Sequence, residues 1–235
     1  METKKDIVRL PDLKNYLINK VQKLFYANSF KLNKSECSFK KETETSIIEF
    51  HFEFHGYYPS HNEYSFYSYI ILKELKDIIA LYKKFNNDGS EIMWNVLIVE
   101  GEFIHELLEQ ERKFKKLYTN EVNSIDSIEI SLNQTLKIIE SEALPIIYPI
   151  STLTGFQKYF LIPQKIMSRI NEGDFILSCL LASYLIDKQF YFEVVEFLLK
   201  ELDKMKASGQ NLESIYILID KTNDFVKHKS NTPTK

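Results

Sequence analysis

The chain reads as an α+β protein, with a small antiparallel sheet and flanking helices in the N-terminal half and a helical C-terminal half. Three observations point there. Residues Ile47 to His55 read Ile-Ile-Glu-Phe-His-Phe-Glu-Phe-His, alternating strictly from Ile48 on. Period two marks a strand with one buried face. Tyr64 to Leu72 follows closely and is rich in aromatic and β-branched residues, which favour strands. Beyond Asp126 the apolar residues recur at helical spacing almost to the C-terminus, so strands and helices are segregated along the chain.

The elements follow in order. Asp12 to Ala27 places Leu13, Tyr16, Leu17, Val21, Leu24 and Phe25 on one helical stripe, with Pro11-Asp12 at its start and Asn28-Ser29 at its end. Phe30 to Phe39 is expected to hold a first strand. Ser46 to His55 is the second, and Tyr64 to Leu72 the third, antiparallel to it across the loop Gly56 to Asn62. Leu75, Ile78, Ile79, Tyr82 and Phe85 then define a helix from Lys73 to Phe85, broken by Asn86-Asn87-Asp88-Gly89-Ser90. Ile92 to Val99, with Trp94, reads as a buried strand, and Phe103 to Leu117 as a charged helix.

The polar stretch Tyr118 to Asp126 suggests a boundary, giving a sheet region over 1–125 and a helical region over 126–228, packed together as one unit. Ile128 to Ala143 reads as a helix ended by Pro145, and Thr152 to Phe160 as another, broken at Pro163. Asp174 to Ile186 and Phe190 to Lys206 form an αα-hairpin joined at Asp187-Lys188-Gln189 and closed by Ser208-Gly209. Leu212 to Lys227 is the last helix, and 229–235 is expected to be a disordered tail. The core should include Ile48, Phe50, Phe52, Phe54, Trp94, Leu180, Leu181, Phe197 and Leu198. No internal repeat is present.

Composition narrows the classes of function. The 235 residues are 44% hydrophobic and 27% charged, which is ordinary for a globular protein, with a high aromatic share of 14%. Net charge is −3, and only Arg9, Arg112 and Arg169 are arginine. That balance argues against nucleic-acid binding. The longest nearly apolar run, Phe175 to Ile186, is well short of the ~20 residues of a membrane span. The N-terminus leads into no apolar signal core. Cys37 and Cys179 fit no metal or redox spacing and read as reduced thiols, so the expected location is cytoplasmic. With 6 glycines, cofactor loops have little material, and no phosphate-loop, dinucleotide or nucleophile-elbow motif occurs. No cofactor is expected.

The candidate site is the polar face of the second strand. Glu49, His51, Glu53 and His55 alternate with its apolar residues. If Tyr67 and Tyr69 share that face, it combines aromatic area with hydrogen-bonding tips, a composition common in recognition surfaces. The leading expectation is a non-enzymatic module that binds another protein, one version being an immunity or regulatory partner in bacterial competition. No catalytic residue is assigned. The competing reading is a metal-binding or metal-dependent hydrolytic protein using His51, His55 and His61, with Glu49 or Glu53. Its obstacle is geometric. Residues two apart on a strand stand ~6.5–7 Å apart, too far to converge on one ion unaided. Glu102-Phe-Ile-His105 and His105-Glu-Leu-Leu-Glu109 are partial metal motifs, each lacking its second half. A charged, solvated helix face accounts for both.

Asn28-Ser29-Phe30-Lys31, the strand Ile47 to Phe54, and Ala143-Leu144-Pro145-Ile146-Ile147 follow one another here. This order resembles a family of uncharacterised bacterial proteins, a domain of unknown function. Those proteins carry a Gly-Phe-Lys-Lys-like segment after the first helix, then a sheet, then an Ala-Leu-Pro-Phe-Phe-like segment before helices. The glycine before Phe30 is replaced here by Ser29. The resemblance implies an N-terminal helix, a small sheet, C-terminal helices and a bacterial origin. It implies no catalytic residues.

Overall fold

The structure, a computed structural model, describes residues 9–57, 61–88, 98–99, 120–122, 125–210 and 212–231. The chain is α+β, as its patterning predicts, with the strands early and helices dominating the C-terminal half. It forms two compact units, each built from two stretches of chain. The first is Met1–Ile70 with Leu97–Pro149, and the second is Ile71–Val96 with Ile150–Lys235. Of the boundary read at Tyr118 to Asp126, residues 120–122, 125 and 126 are described and the rest lie outside the described residues.

In the first unit the sheet follows the order β1 (Lys31–Asn33), β2 (Ser38–Glu42), β3 (Ser46–Tyr57), β4 (His61–Leu72), β5 (Ile98–Val99). A further strand, β6 (Asn120–Val122), also pairs with β4. Where one strand was expected in Phe30 to Phe39, there are two. The turn Lys34 to Cys37 folds β2 back on β1, with Leu32 opposite Phe39. Cys37 sits at φ 51° to make that reversal. Of the expected strand Ile92 to Val99, only Ile98 and Val99 are described. Trp94 and the expected helix Phe103 to Leu117 lie outside the described residues.

The register puts Phe39 opposite Phe50 and Lys40 opposite Glu49, so the alternation of β3 continues across the sheet. Ile48, Phe50, Phe52, Tyr64, Phe66 and Ile70 are all buried on one face. Helix α1 (Leu10–Ala27) covers that face with Leu13, Leu17, Val21 and Phe25. The Phe25 ring stacks on Phe39 at 4.3 Å and meets Phe30, Phe50 and Phe52 between 5.0 and 6.1 Å. Such tilted and stacked pairs add to burial. Phe54, expected in the core, is only half-buried, because it lines an open cleft together with Leu10 and Pro11.

α1 ends in a Schellman motif. Phe30 N–H donates to the Phe25 carbonyl at 2.9 Å and Ser29 N–H to the Tyr26 carbonyl at 3.0 Å. Ser29 occupies the left-handed position, φ 64°, which glycine favours. Helix α2 (Lys73–Phe85) ends the same way on Asn87 at φ 52°.

Helix α3 (Ile125–Ile138) also belongs to the first unit. Its Ser131 and Thr135 hydroxyls lie 2.7 and 3.0 Å from the buried Tyr64 hydroxyl, satisfying it. Tyr16 of α1 donates to Glu129 of α3 at 2.5 Å. That bond first, and Lys20 next, hold the Glu129 carboxyl below its usual range. Pro145 does not end this helical stretch. A π-helical turn, Ile139–Ala143, carries it on into α4 (Leu144–Ile150). The widened turn offers a way to admit the proline, which lacks an N–H and would crowd a regular turn.

The second unit is helical. Thr152 caps α5 (Leu153–Phe160) by accepting from Gly155 N–H at 3.0 Å. Pro163 is not only a break but opens its own helix, α6 (Pro163–Ser168). At its centre lies α7 (Gly173–Ile186), where Phe175 to Ser183 are all buried. α2, α5, α8 (Lys188–Ala207) and α9 (Glu213–Asn231) pack on it. A helix apolar on every side must be enclosed this way. Asp187 alone joins α7 to α8, accepting from Phe190 N–H at 3.0 Å, so the hairpin is tighter than the three residues expected. Leu180, Leu181 and Leu198 are core as expected, but Phe197 is only half-buried. Gly209, at φ 88°, closes α8. α9 runs on to Asn231, taking up Lys229, Ser230 and Asn231 of the expected tail, and 232–235 lie outside the described residues.

Candidate functional site: the polar face of the sheet

Glu49, His51, Glu53 and His55 project from β3 on the side away from Phe50 and Phe52. Lys40, directly opposite Glu49 on β2, brings its Nζ to 3.1 Å from Glu49 Oε1. Glu49 Oε2 in turn lies 3.0 Å from His51 Nε2. The His51 ring meets the Tyr69 ring edge-on at 4.9 Å between centroids, which places Tyr69 of β4 on the same face. A line of contacts thus crosses three strands, from Lys40 through Glu49 and His51 to Tyr69.

The face has two zones. Glu49 and His51 retain 18% and 16% of their side-chain exposure, whereas Glu53 and His55 retain 49% and 52%. The first pair forms an ordered floor and the second stands in solvent. His55 Nε2 lies 3.8 Å from Glu53 Oε2, a looser pair than His51 with Glu49. Ser38, opposite His51, is buried, and its hydroxyl has no hydrogen-bond partner among the described residues.

Chemically, a carboxylate beside an imidazole can fix the ring for base catalysis. Here the neighbouring Ser38 hydroxyl makes no bond to His51, so no nucleophile and base are joined. Each β3 histidine is engaged with its own adjacent carboxylate. Among the described residues no three His, Cys, Asp or Glu side chains converge as metal ligands. The backbone of His61 opens β4 and is not in a loop, while its side chain and that of Tyr67 lie outside the described residues. The partial motifs at Glu102, His105 and Glu109 lie outside them too.

Sequence reading missed Lys40 and Ser38. Their signal was faint, because Ser38-Phe-Lys-Lys-Glu42 alternates only over its first residues and hides a strand of five. The free thiols Cys37 and Cys179 are both buried. No described helix is long and apolar enough to cross a membrane. Compared with known proteins, the chain matches no family model, no curated protein and no solved structure.

Proposed function

We propose that this chain is a cytoplasmic, non-enzymatic binding module of bacterial origin that recognises another protein through the polar face of its sheet. An immunity or regulatory partner in bacterial competition is the version that suits its size and composition. The observation carrying the proposal is the line of contacts from Lys40 through Glu49 and His51 to Tyr69. Side chains ordered before binding lose less entropy on binding. Tyrosine supplies rigid contact area with a polar tip. Glu53 and His55, half-exposed at the end of that floor, are the groups a partner meets first. The chemistry fits a partner segment with a cationic group for Glu53 and an apolar surface for Tyr69.

The test is capture from the native host with the wild-type chain and with Tyr69→Ala, Tyr67→Ala and Glu53→Lys variants, each checked for unchanged circular dichroism. A single partner retained by wild type and by a control in the second unit, Lys204→Gln, but weakened about tenfold or more by Tyr69→Ala supports the proposal. No partner, or a partner indifferent to all three face variants, sinks it.

A further inference from the structure

The opposite, apolar face of the same sheet carries a second site that does not rest on the reading above. Leu10, Pro11 and Lys14 of α1, the turn residues Ser35, Glu36 and Cys37, and Phe52 and Phe54 of β3 enclose an open cleft of about 440 Å³. The alternation of β3 designates Phe54 a core residue, yet it is half-exposed where it lines the cleft beside Leu10 and Pro11 at the start of α1. The floor is therefore apolar. Its rim is not.

Lys14 and Glu36 both line the cleft, and no described residue forms an ion pair with Lys14. Glu36 is held in place from below. Asn33 Nδ2 donates to its Oε2 at 2.7 Å, and the Ser35 hydroxyl donates to Asn33 Oδ1 at 2.8 Å. The second carboxylate oxygen is left for another donor. One cation and one anchored carboxylate stand around an aromatic floor.

We propose that this cleft binds a small zwitterion with one apolar side chain, a free aromatic or aliphatic amino acid. Its carboxylate meets Lys14, its ammonium meets Glu36, and its side chain lies on Phe52 and Phe54. A fatty acid or an amine meets only one of the two rim charges. The net-neutral rim argues for a ligand that is itself net-neutral. The cavity is of the size that holds small ligands.

The test is a titration of the full-length chain with L-phenylalanine and L-leucine, followed by the amide resonances of Cys37, Phe52 and Phe54. The same series uses 3-phenylpropionate, which lacks the ammonium, and 2-phenylethylamine, which lacks the carboxylate. Saturable shifts are expected with an amino acid, and at least about tenfold weaker binding with either single-charge analogue. Lys14→Gln should weaken the amino acid about tenfold while leaving 2-phenylethylamine unchanged. Glu36→Gln should likewise weaken the amino acid about tenfold, while leaving 3-phenylpropionate unchanged. Unaltered amide resonances of Val21, Phe39 and Ile48, core residues of the first unit that do not line the cleft, certify that each variant is folded. No saturable shift up to millimolar ligand, or analogues that bind as well as the amino acid, overturns the assignment.

Discussion

The two units solve the burial problem differently. In the first, an aromatic cluster fills one face of a sheet, and alternate residues of the same strand are left for polar contacts. In the second, α7 is enclosed on every side by α2, α5, α8 and α9, mostly with aliphatic side chains. A strand divides its residues between a core and a surface. A helix wrapped all round does not. The difference teaches where polar side chains are held on sheet backbone in this protein, namely on the far face of β3 and β4, while the described side chains of α7 from Phe175 to Ser183 are all buried.

Substitution should expose that contrast most strongly in the cores. Phe50→Ala removes a ring from the Phe25 cluster and should cost about 3–5 kcal/mol, and Leu180→Ala in α7 about 2–5 kcal/mol, both read by urea unfolding. If Phe50→Ala costs under about 1 kcal/mol, the aromatic cluster is not the anchor of the first unit. Tyr64→Phe removes the hydroxyl shared by Ser131 and Thr135. It should cost about 1–3 kcal/mol, because two buried hydroxyls lose their partner. An unchanged midpoint would show that the Tyr64 hydroxyl contributes nothing to holding α3.

Alkaline pH probes the second unit. Burial pushes the Cys179 thiol far up, and burial likewise raises the Tyr191 hydroxyl. In the unfolded chain these groups lose protons over roughly pH 8.5 to 10, whereas in the fold they keep them. Their stabilisation is therefore complete below each group's unfolded value and is lost steadily as pH rises from there toward the raised folded value. Each group adds a slope of about 1.4 kcal/mol per pH unit. Cys179→Ala should flatten the slope between about pH 8.5 and 10 whatever it does to stability at neutral pH. An identical slope in that variant would mean the thiol is not shielded.

The smallest effect belongs to a turn. Ser29→Gly relieves a left-handed serine and should raise stability by about 0.5–1 kcal/mol in thermal unfolding. Gly209→Ala should do the opposite in the second unit, since Gly209 has φ 88° with open space around it. A loss of stability in Ser29→Gly would show that the serine hydroxyl, not the backbone, matters there.

Much of this was legible in the sequence because the physics was local. The alternation of Ile48 to Phe54 set both faces of β3, and helix α2 begins and ends where its apolar stripe does. What escaped was decided by partners elsewhere in the chain. Lys40 joined the polar face only through its register with Glu49. Phe54 left the core for a cleft that it shares with Leu10 and Pro11, residues distant in sequence. Pro145 stayed helical through a π turn, which no residue pattern signals. The cleft joins α1 to a turn and a strand, and no spacing along the chain foretells it.

The unequal strand lengths have a further consequence. The twelve-residue strands β3 and β4 are rich in aromatic residues and isoleucine and free of proline, features of segments that seed intermolecular β-stacking. β3 lies inside the sheet, and β4 carries two short strands, β5 and β6, along its outer side. On the other side the sheet ends in the three-residue β1, opened by Lys31 and followed by Lys34, beyond the lysine-bearing β2. A border that short and that charged is a poor template for another copy. Removing residues 31–36 would bring β2 to the border, one strand away from the phenylalanine ladder of β3. The β1–β2 hairpin thus both forms this charged border and walls the cleft.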